Sequence, residues 1–425
     1  MTLTDMRTEK PNILMIVIDC LGTKVLNDLK KEKIPNISKL INEGVYFTNA
    51  IAVSTTTSPS FASILTGLYP ARHGIRQLRG KKLRKNVVTL PQILANNGYF
   101  TIAQVTGPLL KILGLDKGFH VYEYRDKEKT VYSDWWRETF KKIKELQEPW
   151  FFLLHLWELH GHPTVPSEYN SFRYGLCKYV RALVALDRKL GELLSILSDN
   201  TLIVLLGDHG EVYPSHSKKT WLRYSADRCL KKCLKIILTR LFRVSSVKNL
   251  EKSSVKLGHG FSVKDILVKI PLILKHRNLP KGLKIDIQVS HVDIFPTLLD
   301  FLGIKYELEY SLDGRSLLPI IRGEDFSWRP VICEACGAQL KREEYELAVR
   351  TPRYKFILKP YVRGDKGKLY DLRKDPQEKR NIIDKKKEVA KILRKYLEVN
   401  YLPYYYGISD LREKIKAIKQ GKMGN

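Results

Sequence analysis

Cysteine is scarce in this chain: six among 425 residues, at positions 20, 177, 229, 233, 333 and 336. So thin a scatter excludes a disulfide framework as the basis of the fold. Cys333 and Cys336 form a CxxC, and Cys229 and Cys233 lie close together, but no second CxxC or neighbouring Cys-His pair completes a zinc motif. All six therefore read as free thiols. Long hydrophobic runs are lacking too. The best, 12–18 and 150–157, fall short of the roughly 18 residues that cross a bilayer. The opening MTLTDMRTEK is polar and has no apolar segment of a secretory signal. These absences predict a cytoplasmic protein, soluble or peripherally attached to a membrane. Zinc fingers, RNP-type motifs, internal repeats and Pro- or Ser-rich linkers are missing as well, which argues against nucleic acid as the partner.

Acidic residues are in short supply. Asp plus Glu number 45 against 74 Lys plus Arg, a net charge of +29. That balance favours anionic partners (nucleic acid, anionic lipid or a charged substrate) as much as it serves solubility, and it says nothing about fold. Hydrophobic residues make up 44%, enough for a sizeable core, which excludes disorder of the whole chain.

The first pattern present is Asn12-Ile-Leu-Met-Ile-Val-Ile-Asp19, a continuous apolar run ending in a carboxylate. Such runs fit strands buried on both faces of a parallel sheet. Similar runs follow at Tyr99–Val105, Trp150–Leu156, Leu202–Leu206 and Ile270–Leu274. Helical patterns lie between, at about 36–43, 89–97, 134–147, 174–198 and 291–302. The alternation predicts an α/β fold: a doubly wound, mostly parallel sheet with helices on both faces. Short strand-like pieces at Val331–Glu334, Glu346–Arg350 and Lys355–Leu358 predict a small C-terminal α+β subdomain. The expected division is 11–310 for a catalytic domain, with a basic insertion at 213–256, and 311–425 for the subdomain and a basic helical tail.

In such sheets ligands gather beyond the carboxyl ends of the strands. Asp19 ends one run, His155 to His160 end another, and Asp208-His209-Gly210-Glu211 end a third. Carboxylate oxygen and imidazole nitrogen at one rim are what a divalent ion takes, so Asp19, Asp208 and His209 are candidate metal ligands. The segment Thr55-Thr56-Thr57-Ser58-Pro59-Ser60 is a hydroxyl-rich run entering a helix. Spacing alone reads it equally as a capping run or as a nucleophile placed where helix N–H groups attract anions.

These motifs, taken in order, resemble the sulfatase branch of the alkaline phosphatase superfamily over nearly the whole chain. The family's opening strand matches Pro11 to Asp19. Its nucleophile signature matches Thr57, Pro59, Ser60, Leu65, Thr66 and Gly67. Its Asp-His-Gly-Glu matches 208–211, and a later His-Gly matches His259-Gly260. Leu312-Asp313-Gly314-Arg315-Ser316-Leu317 and Leu369-Tyr370-Asp371-Leu372 are also typical. The resemblance implies a metal-dependent ester hydrolase with residue 57 as nucleophile.

Three departures qualify that implication. Sulfatases convert a cysteine or serine at the nucleophile position to formylglycine, whereas residue 57 is threonine. Phe61 stands where an arginine usually supports the aldehyde. Cys20 replaces a second aspartate. A threonine nucleophile resembles the phosphodiesterase and phosphonate hydrolase branches instead, so phosphoesters, di- or mono-, are expected ahead of sulfate esters. The expected cofactor is one or two divalent ions (Zn, Mn or Ca) at Asp19, Thr57, Asp208 and His209. In two-metal relatives Glu158, His160 and His259 would hold the second ion; in one-metal relatives His160 and His259 would protonate the leaving group. His155, inside a strand, reads as a core histidine, and His73 as structural near the nucleophile helix. Two alternatives accompany this reading: transfer of a phospho group to or from a lipid-linked or glycan substrate, and an inactive basic binding protein.

Residues 229–243 carry Leu230, Cys233, Leu234, Ile237, Leu238 and Leu241 on one helical face, with lysines and arginines mostly on the other. Such a helix packs on the enzyme as a lid or lies on an anionic membrane. Lying between Asp208 and His259 in sequence, it is expected to border the site.

Overall fold

The structure, a computed structural model, describes residues 10–78, 81–214, 258–337 and 340–405. The basic stretch 229–243 lies outside them. A nine-stranded sheet is built from β1 (Asn12–Ile18), β2 (Val45–Ile51), β3 (Phe100–Val105), β4 (Val121–Tyr124), β5 (Trp150–Leu156), β6 (Thr201–Gly207), β7 (Lys269–Lys275), β8 (Leu283–Ile285) and β9 (Val289–Ser290). The order is β4-β3-β5-β1-β6-β7-β2-β8, with β9 also on β2. β7 alone among these strands runs against the rest, pairing antiparallel with both β6 and β2.

The continuous apolar runs are explained by burial on two faces. Ile13, Met15 and Val17 of β1 enter one core, and Leu14, Ile16 and Ile18 enter another on the opposite face. Helix Thr57–Thr66 packs in the first core and helix Lys178–Leu194 in the second. None of the described helices is long and apolar enough to cross a membrane.

A second, antiparallel sheet follows: β10 (Val331–Ala335), β11 (Glu346–Arg350), β12 (Tyr354–Leu358) and β13 (Lys368–Asp371). It is tied to the catalytic edge at two places. Glu334 exchanges backbone hydrogen bonds with the chain leading to Thr57: its N–H donates to the Val53 carbonyl at 2.9 Å, and Thr55 N–H donates back at 3.3 Å. The second tie is a buried ionic group. Arg350 Nη2 lies 2.7 Å from Asp265 Oδ2, and Lys355 Nζ lies 2.5 Å from Asp265 Oδ1 and 2.8 Å from Glu378 Oε1. Lys355 also donates to the Val263 carbonyl at 2.8 Å. The C-terminal sheet thus holds both the segment before Thr57 and the segment after His259.

Candidate metal and active site at the strand ends

Strand register decides where the carboxylates go. Ile18 pairs with Leu156 of β5 and with Gly207 of β6. The next residues, Asp19 and Asp208, therefore emerge side by side at one edge, both fully buried. Cys20 N–H and His209 N–H donate to Asp208 Oδ1 at 3.0 and 2.8 Å. Asp208 Oδ2 accepts no hydrogen bond among the described residues and faces His209 Nε2 at 3.4 Å.

Two desolvated carboxylates side by side are costly unless a cation joins them. Burial and the charge of Asp19 push the Asp208 carboxyl well above its usual range. Burial would raise Asp19 too, but the charge of His160 and the hydrogen bond from His155 hold it well below. The His209 imidazole, driven down to about 3 by burial and the charge of His259, is neutral near pH 7. Its Nδ1 lies 3.0 Å from the Gly210 carbonyl, which can only accept, so the proton sits there and Nε2 offers a lone pair. A side chain at Gly210 would meet the Ile266 carbonyl oxygen at 2.1 Å, so glycine lets the chain after β6 pass this close to the Ile266 backbone. Asp19, Asp208 and His209 each present a ligand atom within 4.8 Å of the others. The orphaned Asp208 oxygen, the paired carboxylates and the lone pair of His209 fit a divalent cation.

Thr57 is the first residue of its helix, after Thr56 in extended conformation. Its hydroxyl donates to Asp19 Oδ2 at 3.1 Å and lies 3.5 Å from His209 Nε2. The first N–H groups of a helix have no partner within it, and their dipoles favour an anion there. On the far side His160 stacks on Trp157 with ring centroids 3.7 Å apart, and its ring centroid is 5.0 Å from that of His259. His259 lies 4.4 Å, centroid to centroid, from His209. Glu211 Oε2 stands 2.9 Å from His259 Nδ1; its hydrogen bond and charge outweigh the effect of burial and raise the His259 pKa.

A family model described as Sulfatase matches residues 11–304 of this chain. The chain belongs to the sulfatase family. A second model, for the C-terminal part of N-sulphoglucosamine sulphohydrolase, matches 262–400. The N-acetylgalactosamine-6-O-sulfatase of Bacteroides thetaiotaomicron is 22% identical, over 92% of this chain and 93% of its own. A putative sulfatase of the same organism shares the fold with a TM-score of 0.70 at 19% identity, covering 93% of each chain. The phosphonate monoester hydrolase of Agrobacterium radiobacter does so at 0.69 and 20% identity, covering 93% of this chain and 96% of its own. The chain is thus a hydrolase acting on ester bonds, in a family that generally uses a divalent metal ion.

Of the residues expected from the sequence, the structure brings together Asp19, Thr57, Asp208, His209, His160 and His259. It turns Glu158 elsewhere. That carboxylate is 3.1 Å from Arg125 Nη1 and accepts from the Val131 N–H at 3.1 Å, all buried, so its charge is already spent. Sequence spacing could not reveal Arg125. The protein should accordingly lose stability, by about 3 kcal/mol for a broken buried pair, on Glu158→Gln. Its bound metal should stay unchanged by elemental analysis; loss of metal with stability intact would restore Glu158 as a ligand.

His155, read as a core residue, is buried but faces the site. Its Nδ1 accepts from the Thr106 N–H at 3.4 Å, which leaves the proton on Nε2, 3.3 Å from Asp19 Oδ2. Phe61 meets its ring edge-on at 4.9 Å. His73 is structural as expected, with Nε2 3.0 Å from Ser63 Oγ and Nδ1 accepting from the Ile75 N–H. Glu211 was legible only as the residue after Asp-His-Gly.

Proposed function

We propose that this sulfatase-family hydrolase cleaves phosphoesters by attack of the Thr57 hydroxyl, with a covalent phosphothreonine intermediate. The observation that carries the reading is Thr57 Oγ1 itself, hydrogen-bonded to Asp19 and 3.5 Å from His209 Nε2 within the ligand cluster. A divalent ion held by Asp19, Asp208 and His209 supplies Lewis acidity, lowering the pKa of the hydroxyl and countering charge on the transferred group. Asp19 orients the hydroxyl, whose proton passes to solvent as the oxygen bonds to phosphorus. The N–H groups of the first helical turn, positive end of the dipole, face the anionic substrate. His160, stacked on Trp157 and 5.0 Å centroid to centroid from His259, donates to the departing oxygen. Water then attacks the phosphothreonine, giving one proton to His160, and Thr57 regains a proton from solvent as phosphate departs.

Threonine supports phosphorus over sulfur. Its Cβ bears a methyl group, so oxidation there would give a ketone and not the formylglycine aldehyde. The apolar Phe61 against His155 offers no charge to such an aldehyde. The fold shared with phosphonate monoester hydrolases agrees with a phosphorus ester. Sulfate ester hydrolysis is the second reading, favoured by similarity to the N-acetylgalactosamine-6-O-sulfatase above and to the choline-sulfatase of Rhizobium meliloti. The net charge of +29 supports an anionic substrate, lipid-linked or glycan-borne, with peripheral contact to an anionic membrane. Transfer to an acceptor other than water would use the same threonine.

Turnover of p-nitrophenyl phosphate, bis-p-nitrophenyl phosphate, a phenylphosphonate ester and p-nitrophenyl sulfate tests the choice. A phosphorus ester should exceed the sulfate in kcat/KM by at least about tenfold, or about 1.4 kcal/mol. Phosphate should also be found on Thr57 by mass spectrometry after acid quench. Sulfate as the best substrate would overturn the preference.

A further inference from the structure

Cys20 occupies a position that the substrate chemistry above does not use. It is fully buried, and it holds a left-handed backbone conformation, with φ of 63°. For a residue with a side chain that conformation costs roughly 1 kcal/mol, and such strain collects at functional sites. Its thiol donates to Asp19 Oδ1 at 2.8 Å and lies 3.5 Å from His259 Nδ1.

Cys20, His209 and His259 each bring one ligand atom to within 4.8 Å of the others, and this group shares His209 with the carboxylate cluster. Zinc–sulfur and zinc–nitrogen bonds of about 2.3 and 2.0–2.1 Å, at a tetrahedral angle, set sulfur and nitrogen about 3.5 Å apart. That is the separation found between Cys20 Sγ and His259 Nδ1.

We propose that Cys20 and His259 join His209 around the strand-end ion, against the Asp19/Asp208 carboxylates, in a thiolate–imidazole site selective for a thiophilic divalent ion such as zinc. Thiolate sulfur prefers zinc and disfavours calcium or magnesium, which take oxygen. On binding, the metal–sulfur bond replaces the S–H bond, and the thiol proton leaves to solvent. At His259 the metal takes the place of the hydrogen bond to Glu211, whose carboxylate remains beside the ion as balancing charge. A cysteine in place of a second carboxylate thereby changes which ion the strand ends hold.

The inference rests on the same strand-end site as the proposed hydrolysis, but its readouts need no turnover. The full chain is stripped of metal, then titrated with zinc, calcium or cobalt. Zinc should bind at least about tenfold more tightly to the wild type than to Cys20→Ser. The cobalt form should show a thiolate charge-transfer band in the near ultraviolet that Cys20→Ser lacks. Cys20→Asp serves as the second variant, since aspartate tolerates a positive φ better than most residues. It should fold, lose the band, and shift competition toward calcium. Thermal melts check that both variants are folded. An unchanged band and zinc affinity in folded Cys20→Ser, or in Cys20→Asp should the serine variant fail to fold, would overturn the site. Inactivity toward phosphoesters with the band intact would count against the Thr57 scheme alone.

Discussion

Thr57→Ala should lower turnover of the best phosphoester by on the order of 10⁴-fold or more, the scale seen when a covalent nucleophile is removed. Ser54, Ser58 and Ser60 are engaged with Thr56, the Pro108 carbonyl and the Ser54 carbonyl. The fold should hardly notice, since the side chain contributes one hydrogen bond to Asp19, worth about 1 kcal/mol. Thr57→Ser keeps the oxygen and should retain measurable turnover. Matched kinetics and melting curves separate the outcomes. A Thr57→Ala protein that stays within tenfold of wild type would remove residue 57 from the chemistry.

Lys355→Ala should destabilise the protein by about 3–5 kcal/mol, the usual result of deleting one member of a buried ionic group. The ammonium is wholly inaccessible and meets Asp265, Glu378 and the Val263 carbonyl, so its loss leaves Arg350 as the one cation for Asp265 and takes from Glu378 its buried partner. A lower urea midpoint with an unchanged slope is the signature. The pH dependence follows from two shifts. Burial would raise the Asp265 carboxyl, yet Arg350 and Lys355 hold it below its ordinary 3.8. Its contribution is therefore complete above that value and fades as pH falls through the depressed one. Burial would lower Lys355, but Asp265 and Glu378 raise it above 10.5, so its contribution is complete below that value and fades as pH rises further. The gap between variant and wild type should be widest between these limits. A loss under 1 kcal/mol near pH 7 would show that the group is not buried in solution as described.

How much of this was readable in the chain depends on what kept each element in place. β5 has the bounds its sequence suggested, Trp150–Leu156, because a strand covered on both faces must be apolar throughout. β2 was not recognised. Thr48 and Asn49 interrupt its apolar run where the pairing with β7 shifts register, and both side chains turn to Asp286. β4, at the sheet edge and only half covered, gives no apolar signature. In the site, Asp19, Asp208 and His209 were legible because they follow apolar strands directly. His155 was hidden by the same apolar run, and its role depends on which way one ring nitrogen points. Glu158 was misplaced because its partner Arg125 is distant in sequence and emerges from another strand end.

The reversed direction of β7 has a consequence for how such a protein can diverge. β6 delivers the chain to the catalytic edge and β7 departs from that edge, so whatever joins them starts and finishes there. Val212 and Gly258 exchange backbone hydrogen bonds, both at 3.2 Å, just beside Glu211 and His259. That small clasp closes the excursion before it reaches the sheet. The stretch between can grow, shrink or be exchanged without disturbing a single strand pairing.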